Sequence, residues 1–312
     1  MHYNAKQQKA LTDEFITGLS LERNLGARTL KAYRSDISCM MQWIEMRKYA
    51  ELDSETITQY FFYLQNEIEL TPRSIRRKYV AIQQYCGFLS RRYSPGEHFI
   101  AFSSRRFQLP KTLPKTLTCD EIKRLIRSVN EEYQESSSEY FRKLCLRNMC
   151  IIELLFSLGL RIGEICALDL EDYRREDCSI LIHGKGNKER LLFISSPVVN
   201  QKLGNWLLVR PSMNPDSSAF FINRKGGRLT IYSVENIYYK YRDRAQINPH
   251  STPHFLRHSF ATQLLNNGAG IRDVQELMGH NSIVTTQIYT EISLSRKKEV
   301  LMKYNGRNRM DI

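Results

Sequence analysis

The stretch TPHFLRHSFATQLLNNGAGIRDVQELMGHNSIVTTQIY, residues 252–289, carries three helical patterns. An N-cap threonine followed by proline predicts a helix over residues 254–267, which a glycine ends. A second helix is predicted over residues 271–278, again closed by glycine. A third, capped by serine, carries Tyr289. This region is therefore predicted to be a helical part of a larger globular unit.

The polar residues in this stretch are unusual for packing alone. His254 and Arg257 stand three apart and share one helix face. An arginine keeps its charge and binds anions, and histidines such as His258 and His280 exchange protons near neutral pH. The hydroxyl of Tyr289 is a potential nucleophile. Taken singly, each histidine is equally an ordinary polar residue and the tyrosine a core aromatic. The complete set favours chemistry.

A second group lies in LLFSLGLRIGEICALDLEDY, residues 154–173. The apolar run ends at a glycine, and a short helix is predicted to restart near Arg161. Arg161 and Glu164 then share one face. One reading is a surface ion pair that contributes little to stability. The other is an arginine that a carboxylate holds in one rotamer to bind a phosphate.

Between these groups, SILIHGKGNKERLLFI, residues 179–194, predicts a β-hairpin with a glycine-rich turn. Lys185 lies in that turn. A turn lysine is commonly just solvated, so its position alone assigns no function. The glycines do not form a nucleotide phosphate loop, because their spacing differs from G-x-x-x-x-G-K-[ST] and that loop joins a strand to a helix.

In this order, the R-x-x-E pair, the hairpin lysine, H-x-x-R, G-H and the final tyrosine resemble the signature of the tyrosine recombinases, also called the phage integrase family. The chain is most similar to the bacterial Xer-type enzymes. The match covers about 130 residues of the C-terminal half. The resemblance implies these catalytic residues: Arg161, Lys185, His254, Arg257, His280 and, as nucleophile, Tyr289.

The resemblance implies site-specific DNA recombination through a covalent 3′-phosphotyrosine and a Holliday junction. Two guanidinium groups would neutralise the phosphate, and Lys185 would protonate the leaving sugar oxygen. Glu164 would orient Arg161 or His254, and His258 would support the site structurally. The expected partners are double-stranded DNA and further copies of the chain in a tetramer, with a second recombinase or accessory protein in some members. The scheme needs no metal or other cofactor.

Three alternatives remain at this point. A type IB topoisomerase shares the same residues but only cleaves and reseals one strand. A zinc hydrolase would use His254, His258 and His280 as ligands, although it lacks H-E-x-x-H and would place Arg257 beside the cation. The last alternative is a DNA-binding protein that has lost catalysis.

The composition favours a nucleic-acid partner. The 312-residue chain carries a net charge of +13, which points to a polyanion. An anionic membrane surface is the competing partner, but we find no long apolar span or basic amphipathic anchor. Seven cysteines without C-x-x-C pairs argue against a disulfide framework. Together with the absence of an apolar signal core, they predict a cytoplasmic protein.

Residues 1–103 predict an all-helical domain, and the family resemblance implies that it is a SAM-like, core-binding DNA-binding domain. Apolar residues repeat with helical spacing along four segments, and Ser54 and Thr71 are the predicted caps of the third and fourth. The fourth segment has a basic polar face, which is either simply solvated or a surface that tracks the DNA backbone. The residues of this face are Arg73, Arg76, Arg77 and Lys78.

Residues 104–116 predict an extended basic linker, because prolines break the periodicity and no acidic residue is present. Its predicted DNA-binding residues are Arg105, Arg106, Lys111 and Lys115. Residues 117–312 would form an α+β catalytic domain, so the whole chain is expected to be mainly α with a small β-sheet. Within it we predict a surface insertion over 130–147, a short strand over 219–222, and a basic tail over 293–312, for which the family resemblance implies docking on a neighbouring subunit.

Overall fold

Amphipathic helices form most of the chain, and a small antiparallel sheet lies in its second half. The chain divides into two compact units, Met1–Thr112 and Leu113–Ile312, each with its own apolar core. The predicted fold, mainly α with a small β-sheet, is confirmed. The computed structural model describes residues 4–23, 25–93, 95, 99–103, 115–184, 189–279 and 290–310.

The helices of the N-terminal unit are α1 (Ala5–Arg23), α2 (Ala27–Met46), α3 (Ser54–Asn66) and α4 (Pro72–Arg92). Their apolar faces meet in one core, where Ile37, Ile57 and Ile82 are fully buried. These are the faces that the helical spacing predicts. Burying them is the main favourable contribution to folding of this unit.

The predicted capping residue is correct for α4 but wrong for α3. The backbone N–H of Ser74 donates to the Thr71 hydroxyl, as predicted. Ser54, however, is already the first residue of α3. Asp53 is the cap, and its carboxylate accepts from the N–H of Thr56 at 2.8 Å. Both residue types cap helices well, so the sequence placed the start of α3 one residue too late.

The helices of the C-terminal unit are α5 (Cys119–Glu135), α6 (Glu139–Ser157), α7 (Ile162–Ala167), α8 (Pro197–Val209), α9 (Ile231–Arg244), α10 (Pro253–Asn266), α11 (Ile271–Met278) and α12 (Thr290–Tyr304). Helix α6 lies at the centre of this unit, and its side chains from Leu144 onwards are almost all buried. It packs against α5, α8 and α10. Because α6 ends just before Arg161, this packing fixes where the arginine enters the site.

The predicted surface insertion over residues 130–147 is wrong in extent. The break between α5 and α6 comprises only residues 136–138, and Leu144 and Cys145 belong to the core. A capping box stands at the start of α5, where Thr118 and Glu121 exchange hydrogen bonds. The serine-rich segment therefore separates two core helices.

The sheet consists of β1 (Tyr173–Arg174), β2 (Ser179–His183) and β3 (Glu189–Phe193), paired antiparallel in that order. The predicted hairpin of β2 and β3 is confirmed, and residues 185–188 between them lie outside the described residues. The short strand predicted over residues 219–222 is wrong. This run forms only single bridges, and its apolar residues are buried in the core.

The described end of the chain packs on its own unit. Val300 and Leu301 of α12 are fully buried, and a 3₁₀ helix follows at Gly306–Arg309. Arg307 forms a buried ion pair with Glu153 of α6, at 2.7 Å. Docking of the tail on a neighbouring subunit stays a prediction.

None of the described helices is both long and apolar enough to cross a membrane. All seven cysteines have free thiols.

Candidate active site

Two arginines from distant parts of the chain converge on one buried carboxylate, Glu164. Arg161 is the N-cap of α7, and its Nη1 donates to Glu164 Oε1 at 2.8 Å. Its backbone N–H donates to Oε2, also at 2.8 Å. Arg257 lies on α10, and its Nη1 is 3.9 Å from Oε2. The predicted pairing of Arg161 with Glu164 is confirmed, and the fold brings the second guanidinium to the same carboxylate.

Arg257 is held by backbone oxygens as well. Its two terminal nitrogens donate to the carbonyls of Gly159 and Met278, which follow α6 and end α11 respectively. Only 4% of the residue is exposed. Burial, followed by the nearby charge of Arg161, lowers the pKa of Arg257 to about 10, so it remains charged at neutral pH. A fixed, charged guanidinium in this position is suited to bind an anion.

Glu164 remains ionised although it is buried. Burial alone would raise its pKa, but the hydrogen bonds and charge of Arg190, together with those of Arg161, bring the pKa below its ordinary value. The carboxylate therefore offsets part of the positive charge while leaving an excess of it. That excess is the electrostatic condition for binding a phosphate.

Arg190, on β3, is the site residue that the sequence reasoning missed. Its Nη1 and Nη2 donate to the two oxygens of Glu164, each at 2.9 Å. A signal was available in the strand pattern. Alternation places Arg190 on the same side as the buried Leu192, and its register partner Ile182 is also buried. A charge at an inward strand position indicates a buried partner.

His254 and His258 lie on the first two turns of α10, and both residues are exposed to solvent over part of their surface. Partial burial comes first among the causes that lower the pKa of His254, followed by the charges of His258, Arg257 and Arg161. His254 is therefore neutral at pH 7, the state that accepts a proton. It lies one helical turn from Arg257, as predicted from the sequence.

A histidine also lies at the base of the hairpin. His183 Nε2 is 2.8 Å from Asp172 Oδ1, and its Nδ1 is 3.1 Å from Glu189 Oε1. Both partners accept hydrogen bonds, so both contacts together require the doubly protonated ring. The hydrogen bond with Asp172 is the main cause that raises the pKa of His183. This arrangement joins β2 and β3 where Lys185 follows in the sequence.

Three of the predicted catalytic residues, Lys185, His280 and Tyr289, lie outside the described residues. Their positions stay predictions. The residue before His280 is described. Gly279 ends α11 with a φ of +61°, the left-handed conformation expected of a helix-ending glycine.

Comparisons with known proteins assign the chain to a family. The phage integrase family matches residues 115–296, and the phage integrase N-terminal SAM-like domain matches residues 11–93. The chain is 32% identical to a tyrosine recombinase of Agathobacter rectalis, over 92% of this chain and 93% of that protein. It is also 32% identical to tyrosine recombinase XerD of Mycobacterium tuberculosis, over 92% of this chain and 94% of that protein. The chain belongs to the phage integrase family.

The chain is therefore a tyrosine-type site-specific recombinase, an enzyme that cleaves and rejoins DNA strands. Topoisomerase activity without strand exchange is not favoured. In fold, the chain is similar to a XerH site-specific recombinase in its post-cleavage complex with a difH substrate. That comparison has a TM-score of 0.70 at 21% identity and covers 95% of this chain and 83% of that one.

The basic residues predicted to bind DNA differ in their surroundings. On α4, Arg73 and Arg76 are exposed. Arg77 donates to the buried carboxylate of Asp36, and Lys78 Nζ lies 3.0 Å from the same carboxylate. The Lys78 side chain is only 12% exposed, so it does not belong to an open basic face as predicted. Lys115 is exposed, whereas Arg105, Arg106 and Lys111 lie outside the described residues.

The tyrosines of α9 are excluded as nucleophiles where they are buried. Tyr238 and Tyr241 are fully covered, and their hydroxyls bond to Ser251 and Asn148. Burial is the main cause that raises the pKa of Tyr238 to about 12. Both side chains therefore serve in packing of the core.

Proposed function

We propose that Arg161 and Arg257 together bind the scissile phosphate of a DNA recombination site, and that Tyr289 attacks it. The observation that carries this assignment is the convergence of both guanidiniums on Glu164. A phosphodiester resists attack because its charge repels the nucleophile and increases on the oxygens in the transition state. Two pre-positioned forked donors offset that charge.

The proposed reaction is an in-line displacement at phosphorus. The phenol oxygen of Tyr289 forms a bond to the phosphorus while the bond to the 5′ oxygen breaks, which leaves a 3′-phosphotyrosyl link. Neutral His254 accepts the phenol proton, and Lys185 supplies a proton to the departing 5′ oxygen. His280 donates a hydrogen bond to a non-bridging oxygen. The 5′ hydroxyl of a partner strand reverses the reaction, so exchange conserves bond energy.

The remaining residues support this arrangement. Glu164 fixes the direction of Arg161, and its negative charge allows several cations to share a small volume. His258 stands one turn after His254 on the exposed side of α10 and has a structural role. Arg161 retains 37% exposure of its side chain, against 5% for Arg257. Arg161 is thus the more accessible of the two donors.

We further propose that double-stranded DNA is the partner and that four copies assemble on two synapsed sites. Proteins of similar fold support the DNA partner, since XerH is bound to a difH substrate and a lambda integrase dimer to a core site. Free thiols fit a cytoplasmic location. Arg73, Arg76 and Lys115 are exposed cations that suit the DNA backbone. Dimer resolution, integration or excision, and inversion all use this chemistry.

A covalent-capture experiment tests the proposal. Duplexes with a randomised core and a nick beside each possible cleavage position are incubated with the full chain, and adducts are isolated on denaturing gels. Wild type should yield adducts whose sequences define a site. On that site, Arg161→Lys and Arg257→Lys should each react about a hundred- to a thousandfold more slowly. Unchanged rates in both variants would contradict the assignment.

Strand exchange separates recombination from simple resealing. Two duplexes that carry the captured site and different labels are incubated with the chain, and hybrid products are measured. We expect products that join the two labels. Relaxation of a supercoiled plasmid without any exchanged product would instead indicate the topoisomerase alternative.

A further inference from the structure

Arg190 occupies a central place in the site, although it lies on the hairpin strand β3. Its side chain is only 10% exposed, compared with 37% for Arg161. It holds Glu164 through two parallel hydrogen bonds of 2.9 Å. Its Nε donates to the carbonyl of Leu277 in α11, at 3.2 Å. Arg190 therefore connects β3, α7 and α11 through a single side chain.

The hydrogen bonds to Glu164 fill the acceptor positions of its carboxylate. Oε1 accepts from Nη1 of Arg190 and from Nη1 of Arg161, and Oε2 accepts from Nη2 of Arg190 and from the Arg161 backbone N–H. A carboxylate offers about four lone-pair positions, and all are engaged. Because two of these bonds come from one planar fork, the plane of the carboxylate is fixed.

The same guanidiniums hold the C-terminal end of α11. Arg190 donates to the carbonyl of Leu277, Arg257 to that of Met278, and Arg161 to that of Gly279 at 3.5 Å. Three successive carbonyls thus each accept from a different arginine. The negative end of the helix dipole favours this contact.

Arg190 also lies close against the turn that ends α11. A Cβ at Gly279 would come within 3.2 Å of Arg190 Nη1, and the residue has a φ of +61°. Glycine is therefore needed there for both conformation and space. In the sequence, His280 follows directly.

We infer that Arg190 is a positioning residue of the recombination reaction: it fixes Glu164 so that Arg161 and Arg257 keep the directions in which they bind the scissile phosphate. The inference rests on the proposed function. Among the described contacts, Arg190 is the only one of the three arginines that donates to both Glu164 oxygens through its guanidinium fork.

The fork distinguishes positioning from simple neutralisation of charge. Lysine keeps the positive charge but lacks the planar pair of donors. If Arg190 only balanced the charge of Glu164, Arg190→Lys would restore the activity lost in Arg190→Met. If it positions the carboxylate, both variants lose activity.

Arg228 supplies a matched control. It also pairs with a carboxylate, Asp169 at 2.6 Å, and caps backbone carbonyls at the end of α7, those of Cys166 and Leu168. It makes no contact with Glu164 among the described residues. Arg228→Met therefore removes the same kinds of interaction without disturbing the carboxylate of the site.

The test measures single-turnover adduct formation on the captured site, with DNA affinity and thermal unfolding measured alongside. Two substrates are used, an ordinary phosphodiester and a methylphosphonate that lacks one negative oxygen at the scissile position. Arg190→Lys and Arg190→Met should both react about a hundredfold more slowly on the phosphodiester, the loss that a displacement of about 1 Å can cause. On the methylphosphonate their deficit should shrink, because less charge needs to be neutralised.

Contrary results are equally defined. A reaction rate of Arg190→Lys close to that of wild type would overturn the inference. It would also be overturned if the Arg190 variants lost the same factor in rate on the phosphodiester and on the methylphosphonate. Arg228→Met is expected to show such a substrate-independent effect. If Arg190→Met fails to fold, Arg190→Lys alone decides between these outcomes. Failure of the wild-type chain to form any adduct would refute the proposed function, and this inference with it.

Discussion

Glu153 offers a quantitative test of how the C-terminal segment is held. It is completely buried in α6, and its oxygens accept from Arg307 at 2.7 and 3.0 Å and from Lys202 at 2.7 Å. Arg307 itself is 2% exposed. Glu153→Gln keeps the shape but removes the negative charge, which leaves a buried guanidinium uncompensated.

Removing one partner of a buried ion pair costs about 3–5 kcal/mol. For a unit of about 200 residues, each kcal/mol lowers the Tm by roughly 2–4 °C, so Glu153→Gln should lose roughly 6–20 °C. The double variant Glu153→Gln/Arg307→Met should be more stable than Glu153→Gln, because the stranded charge is removed as well. Glu139, which pairs with Lys143 but whose own side chain is 82% exposed, serves as control, and Glu139→Gln should change the Tm little.

Tryptophan fluorescence gives a readout specific to this unit. The chain has two tryptophans, and Trp206 is buried in the catalytic unit while Trp43 lies in the N-terminal core. In a Trp43→Phe background, the thermal transition of Trp206 follows the catalytic unit alone. A Glu153→Gln transition within about 2 °C of wild type would refute the reasoning, since that shift corresponds to only about 1 kcal/mol or less.

The stability that Glu153 contributes should decrease as the pH falls. Burial would raise the pKa of Glu153, but hydrogen bonds from Arg307 and the charge of Lys202 lower it below the ordinary value. The unfolded chain therefore binds the proton first as pH falls. The stabilisation is complete above the ordinary glutamate pKa and is lost as pH falls through the folded value. The Tm difference between wild type and Glu153→Gln should narrow over that acidic range.

Further predictions concern protons and salt. Since the pKa of His254 is lowered, the cleavage rate should fall on the acid side with a midpoint below the ordinary pKa of histidine. A midpoint above the ordinary pKa would contradict a neutral His254. The pKa of His183 is raised in the folded state. Its contribution to stability is therefore present below the ordinary histidine pKa and is lost as the pH rises through the folded-state pKa. In thermal melts, His183→Gln should be less stable than wild type at pH 6 and should match it at pH 9. DNA affinity should fall at least about a hundredfold between 50 and 200 mM salt, and Arg73→Gln/Arg76→Gln should reduce the log–log slope by about two; an unchanged slope would remove these residues from the interface.

Features that depend on neighbours in sequence could be predicted. The Arg161–Glu164 pair follows from i,i+3 spacing on a short helix, and the capping box at Thr118 follows from spacing as well. The hairpin of β2 and β3 follows from two β-type runs around glycines. In each case the interaction forms within a few residues, so a local pattern contains the information.

Features that depend on distant contacts could not be predicted. Arg190 contacts Glu164 only after the hairpin has folded beside α7 and α11. Arg307 pairs with Glu153, from which most of the sequence of the catalytic unit separates it. Helix periodicity predicts an open position for Lys78 because it contains no information about Asp36 on α2. The apolar run 219–222 resembles a strand because short buried runs have no distinguishing period.

The identity of the covalent link tests the central claim most directly. A nicked substrate that traps the cleaved state is incubated with wild type and with Tyr289→Phe, and the adduct is digested and its linked peptide sequenced. We predict a phosphotyrosyl link at Tyr289 in wild type and, for Tyr289→Phe, DNA binding without any adduct. An adduct that persists in Tyr289→Phe, or a link at another residue, would contradict the account.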